Sequence, residues 1–254
     1  MTRRLATIAG ALAFVALLLG AWQLGALYGA ISPIFFPSPV RTLEELAKQV
    51  ADGRLWQPLG ATTMRMLWGW FAASIAGVVI GAAIGLSRTA REYLEPMLEF
   101  LRPLPASAVI PVAVSFLGLS TQMSTAVIAF GSIWPVLLAA VHGFATVDPQ
   151  LAEVSSSLCL TRWQRLWKIA LPSAMPDILA GVRVGLGIAL ILAVVTEMQA
   201  SLPGLGQNIL LAQRSFKSPE LYAGVVVLGM LGFIANQLIL GIERRLLRWR
   251  ALPE

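Results

Sequence analysis

Few side chains in this sequence can do covalent or metal chemistry. One cysteine, Cys159, and one histidine, His142, leave no internal disulfide framework and no His/Cys-ligated metal. Neither Gly-x-Ser-x-Gly nor His-Glu-x-x-His occurs, so hydrolysis by an activated serine or a zinc-bound water has no visible machinery. The chain also lacks Gly-x-x-x-x-Gly-Lys-Ser/Thr and so cannot cradle nucleotide phosphates. No catalytic residue, cofactor or metal is expected. The chemistry left is that of placed charge, and it concentrates in two places. One is the stretch 148–172, where Glu153, Arg162, Arg165, Trp163 and Trp167 stand between two long apolar runs. The other is the set of polar groups inside or at the end of an apolar run: Arg183, and then Thr196, Glu197 and Gln199. An ionisable group within a membrane span is costly and is a functional candidate for that reason.

The local signals in 148–172 predict a helical hairpin. Asp148-Pro149 is a helix start, with Glu153 near the positive end of the dipole. Thr161-Arg162-Trp163-Gln164 fits a capping box for a second helix. Leu171-Pro172 is expected to end it, because the residue before proline is pushed out of the helical region. Such a rigid knob suits docking: a soluble partner can grip it and push.

The elements that must carry this hairpin are membrane spans. Only 13% of the residues are charged and 57% are hydrophobic, with mean hydropathy +0.76, whereas soluble domains carry about 25% charge. Six apolar stretches, at about 5–27, 67–86, 103–119, 123–145, 178–198 and 221–242, approach the roughly 20 residues a crossing needs. The expected fold is therefore an all-α polytopic membrane protein with six transmembrane helices and a hairpin at 148–172, one transmembrane domain over 1–254. With the N-terminus placed in the cytoplasm, twelve basic residues fall on the cytoplasmic side: Arg3, Arg4, Arg88, Arg91, Arg102, Arg162, Arg165, Lys168, Arg244, Arg245, Arg248 and Arg250. Six fall outside: Arg41, Lys48, Arg54, Arg65, Arg214 and Lys217. This bias puts both termini and the hairpin in the cytoplasm. It also accounts for the net charge of +6 without nucleic acid. Ser38-Pro39 predicts a surface helix over 39–51, stopped by Asp52-Gly53. Gly77, Gly81, Gly85, Gly181 and Gly185 recur at four-residue spacing, a pattern for close helix contact. Pro103, Pro105, Pro111 and Pro135 should break or bend spans three and four. His142 reads as a packing histidine, Arg183 as a structural group near a span end, and Asn236 and Gln237 as interhelical hydrogen-bonding candidates.

The hairpin resembles the "EAA" loop of bacterial ABC importer permeases. Glu153, Ile169, Leu171 and Pro172 fall on that pattern, Val154 and Ser155 replace its two alanines, and Cys159 stands where the family has glycine. That glycine serves a left-handed turn, so Cys159 either accepts strain or the turn is built differently. Leu101-Arg102-Pro103-Leu104-Pro105 with Ala108 and Pro111 is similar to the third-span signature of the nitrate/sulfonate/taurine branch. Glu197-Met198 with Gly204-Leu205-Gly206, and the basic run Arg244–Arg250, resemble the end of that branch's fifth span and its C-terminus.

The resemblance implies a type I importer permease in the bacterial inner membrane. It would pair with a second copy and work with cytoplasmic ABC ATPase subunits and an extracytoplasmic solute-binding protein. The ATPase-coupling residues it implies are Glu153, Ser156, Cys159, Arg162, Trp163, Arg165, Ile169, Leu171 and Pro172; Thr196, Glu197 and Gln199 are candidates for the path or gate. The branch implies an organosulfonate, taurine or nitrate-like anion, although similar permeases carry thiamine-precursor heterocycles. The rival readings are a transporter or channel that needs no ATP, and a membrane enzyme.

Overall fold

The computed structural model describes residues 2–28, 32 and 34–249. Its helices are α1 (Thr2–Leu27), α2 (Pro39–Ala51), α3 (Trp56–Gly85), α4 (Arg88–Leu101), α5 (Ala106–Leu117), α6 (Thr121–Ala145), α7 (Pro149–Ser157), α8 (Arg162–Arg165), α9 (Leu171–Ala200), α10 (Leu205–Arg214) and α11 (Ser218–Leu246). No strand occurs among the described residues. Four continuous helical stretches, 56–85, 121–145, 162–200 and 218–246, are each long and apolar enough to cross a membrane.

α6 is the centre, packed between α3 on one side and α9 on the other. The glycine spacing is what admits this approach. A Cβ on Gly81 would lie 2.5 Å from the Ala140 Cβ and 2.9 Å from the Leu137 carbonyl. On the other side of α6, a Cβ on Gly181 would lie 2.6 Å from both the Ala139 Cβ and the Pro135 carbonyl. Gly77 and Gly85 meet α6 in the same way, and Gly185 meets the Ser132 carbonyl. The three helices thus touch backbone to backbone, with Ile128, Val136, Ala140, Ala174, Ala189 and Ala193 buried between them. The Trp70 indole N–H donates to the Val182 carbonyl at 2.9 Å, tying α3 to α9 directly. Outside this core, α2 lies against α11 and α10 fits between α9 and α11.

The third crossing is broken at Pro103 and Pro105 as expected, but its helix is shorter than the 103–119 stretch. α5 has 12 residues, about 18 Å at 1.5 Å per residue and short of the bilayer core. It follows α4 at 90°. The bend sits at Arg102–Pro105, where Pro105 takes an extended conformation as the residue preceding α5. Pro111 and Pro135 are carried inside helices. α1 is helical over Thr2–Leu27, its apolar part running from Ala13 to Leu27. The helix expected at 39–51 forms with those bounds. Ser38 accepts the Arg41 N–H, and Gly53 closes the turn beyond it at φ +75°.

Leu171-Pro172 does not end a helix. From Arg162 the chain runs helically to Ala200 through a π-turn at Leu166–Ala170, in which the Leu171 N–H reaches back to the Leu166 carbonyl. Pro172 has no N–H to give, and its ring would press on the carbonyl four residues back. The wider turn absorbs both problems, so the second arm of the hairpin and the following span are one rod.

Candidate functional site

The hairpin is built as its caps dictate. Asp148 Oδ1 accepts the Gln150 N–H at 2.8 Å and its carbonyl accepts the Leu151 N–H, starting α7. α7 stops with Cys159 in the left-handed region at φ +49°, and the Leu160 N–H reaches back five residues to the Ser155 carbonyl at 3.0 Å. This closure satisfies an end carbonyl that glycine-terminated helices usually handle. Cys159 accepts the strain. The capping box at α8 is complete: Gln164 N–H donates to Thr161 Oγ1, and Thr161 N–H donates to Gln164 Oε1 at 3.0 Å.

The residues expected to couple divide into two groups. Glu153, Cys159, Arg162, Trp163 and Arg165 are exposed, Trp163 by 70%, alongside exposed Val154, Leu158 and Trp167. Glu153, Arg162 and Arg165 form no ion pair among the described residues. Ile169, Leu171 and Pro172 are half-buried. Leu171 packs with Leu166 against a cluster of Ala140, Phe144, Ala170, Ala174 and Ile178. One end of the hairpin is seated in the bundle, and the other presents charge and aromatic surface. The side chain of Ser156 lies outside the described residues.

At the opposite end of α9, Glu197 is fully buried. Its carboxylate receives Arg65 Nη1 at 2.7 Å, the Thr62 hydroxyl at 3.0 Å and the Gly206 N–H at 2.9 Å. Thr62 Oγ1 accepts the Leu205 N–H at 2.9 Å, completing a lattice that joins α3, α9 and the start of α10. Gly204 lies so close that any Cβ there would run into the carboxyl group. Ser201, at φ +51°, turns the chain, and the Leu202 N–H donates to the Glu197 carbonyl. Thr196 is also buried; it donates to the Ala193 carbonyl, leaving its oxygen to accept from Ser124 of α6 at 2.6 Å. Gln199 is exposed. The three residues picked out together thus part: two bind helices together and one faces outward.

Arg65, placed in an outer loop by its distance from the apolar run, belongs to α3, which begins eleven residues ahead of the expected span at Trp56. Sequence reasoning missed both it and Thr62. Their signal was helical phase: Thr62, Arg65 and Gly69 share the face that turns inward. Arg183 pairs with Glu243 of α11 at 3.3 Å. His142 is exposed in the last turn of α6 and is not a packing histidine. Asn236 and Gln237 are exposed and make no interhelical hydrogen bond among the described residues.

Comparison with known proteins agrees with this geometry. Residues 56–250 match the family model for the binding-protein-dependent transport system inner membrane component. The chain is 33% identical over 240 residues to the taurine transport system permease protein TauC of Escherichia coli K12, covering 92% of this chain and 87% of that one. It is 31% identical over 235 residues to the putative aliphatic sulfonates transport permease protein SsuC of Bacillus subtilis 168, covering 92% and 85%. It is 29% identical over 216 residues to the nitrate import permease protein NrtB of a Synechocystis strain, covering 82% and 78%. Among solved structures, an inward-facing form of the MetNI methionine ABC transporter matches with TM-score 0.65 at 17% identity, covering 76% of this chain and 95% of that one. An amino acid ABC transporter with histidines matches with TM-score 0.61 at 16% identity, covering 79% and 98%. With the α3–α6–α9 core, the capped hairpin and these likenesses together, this chain belongs to the binding-protein-dependent transport inner membrane components, the permeases of ABC importers, on their nitrate/sulfonate/taurine branch.

Proposed function

We propose that this permease forms the path for a small organosulfonate, taurine or nitrate-like anion, delivered by an extracytoplasmic binding protein and driven by separate ATPase subunits. The relatives named for taurine, aliphatic sulfonates and nitrate support the substrate class. Two copies, each one transmembrane domain with both termini in the cytoplasm, would flank the path.

The observation that carries the reading is the hairpin. Glu153, Arg162, Trp163 and Arg165 stand exposed on a capped, rigid knob whose second arm is continuous with α9. A push on that knob is delivered along a single rod to the buried lattice at Glu197, with no hinge of loop between. Such coupling requires that the ATPase bind the inward- and outward-open states unequally. Cys159, Ile169, Leu171 and Pro172 shape and seat the knob, and Ser156 belongs to the same coupling set. At the outer end Thr196, Glu197 and Gln199 belong to the gate. Glu197 would act there by fixing the turn into α10, because its side chain is buried away from any solute.

Glu153→Lys tests the coupling. The variant is expected to insert and to assemble with its ATPase but to lose at least tenfold in ATP hydrolysis stimulated by the loaded binding protein. Normal transport by Glu153→Lys removes the proposal. Uptake by the purified chain with no ATPase bound would replace it with an ATP-independent transporter.

A further inference from the structure

Beside the bent third crossing lies a cavity of about 470 Å³, within the range of small-molecule sites. It opens between the α4–α5 bend, α6 and α9. Trp134, Pro135 and Leu138 line it from α6, and Val184 and Ile188 from α9. Every lining residue is apolar or aromatic except Arg102, at the bend itself. Arg102 is exposed, its backbone N–H donates to the Leu98 carbonyl, and its side chain forms no ion pair or hydrogen bond to a described residue. α5 begins at this place with no side chain capping its first amides, so the positive end of its dipole adds to the guanidinium. Irregular backbone in a membrane protein is tolerated where it lines such a cavity.

We propose that this cavity is a subsite of the solute path that takes small organic anions, with the anionic head on Arg102 and the alkyl part against the α6 and α9 walls. The one charged group lining the cavity is the Arg102 guanidinium and no carboxylate lines it, so it disfavours a cation. Its apolar walls offer nothing to a bare inorganic anion but suit an alkyl chain. Within the class named above, the cavity therefore selects organosulfonates over nitrate. The inference rests on that transport reading and names the residues that execute it.

The test uses the complete importer with its binding protein, reconstituted in vesicles and supplied with radiolabelled butanesulfonate and with taurine. Arg102→Gln is expected to lower sulfonate uptake per ATP hydrolysed about tenfold while the binding-protein-stimulated ATPase rate holds; Arg102→Lys should keep at least half of the uptake. An intact ATPase separates a path defect from a coupling or folding defect. Val184→Trp, at a position 54% exposed and able to bear bulk, narrows the cavity from the opposite wall and leaves the charge. It should cut butanesulfonate uptake at least fivefold more than taurine uptake. If wild type transports sulfonate and Arg102→Gln matches it, the cavity assignment is overturned and the transport reading stands. If Arg102→Gln fails to assemble, Val184→Trp decides, and equal uptake of both solutes overturns the assignment. Wild type that takes up neither solute but does take up nitrate overturns the cavity assignment alone, and wild type that takes up none of the three overturns both readings.

Discussion

Replacing Glu197 with alanine should damage this permease more than any other single carboxylate loss, and the structure sets the scale. Arg65 lies 2.7 Å from the carboxylate with its side chain 8% exposed, and its Nε already lacks a partner. Glu197→Ala would strand the guanidinium together with the Thr62 hydroxyl and the Gly206 N–H, all in a water-poor interior. Removing one member of a buried ion pair costs about 3–5 kcal/mol, which for a chain of this size lowers Tm by on the order of 10 °C. Arg65→Met should cost less, because the carboxylate keeps the Thr62 and Gly206 donors. The double variant Arg65→Met/Glu197→Met should recover part of the loss, since an apolar pair of similar volume is often no worse than a buried ion pair. Thermal unfolding of the detergent-solubilised importer, followed by circular dichroism, measures all three. Hydrogen exchange should accelerate locally at the α10 amides that this lattice holds. A Tm change under about 2 °C for Glu197→Ala, or a double variant less stable than both singles, would refute the reasoning.

Two further outcomes follow from backbone geometry. Cys159→Gly removes a Cβ from a left-handed position and should stabilise the hairpin by about 1 kcal/mol, read as slower hydrogen exchange of the Leu160 amide; Cys159→Val should have the opposite effect. Gly81→Val places a Cβ 2.5 Å from Ala140 and 2.9 Å from a backbone carbonyl that cannot rotate away. It should reduce the yield of folded permease, with an overpacking cost of roughly 1–3 kcal/mol or more. Gly60→Ala, in the same helix with no atom within 4 Å of the added carbon, is the neutral control.

What could be read from the sequence was what short-range rules govern. The cap of α2 at Ser38, the start of α7 at Asp148 and the reciprocal cap of Thr161 with Gln164 each involve groups within four residues. The composition announced the membrane, and the glycine spacing announced that spans two and five pack closely, though not that α6 is the partner of both. Where the sequence misled, two local rules competed. Proline after Leu171 argued for a stop, but a π-turn let a long buried helix continue through it. The apolar run in span two began at Leu67, but amide hydrogen bonding extends the helix back to Trp56 and carries Arg65 inward with it.

The sequence alone determined the class of molecule, its hairpin and the charge pattern of its ends, because caps, turns and hydropathy act over a few residues. Only the tertiary structure decided that Glu197 belongs to Arg65 and Thr62, which stand 132 and 135 positions away, and that Thr196 meets Ser124. No local signal names such partners. A polar group inside an apolar bundle must find its counter-group wherever the packing of three helices brings one within hydrogen-bonding reach.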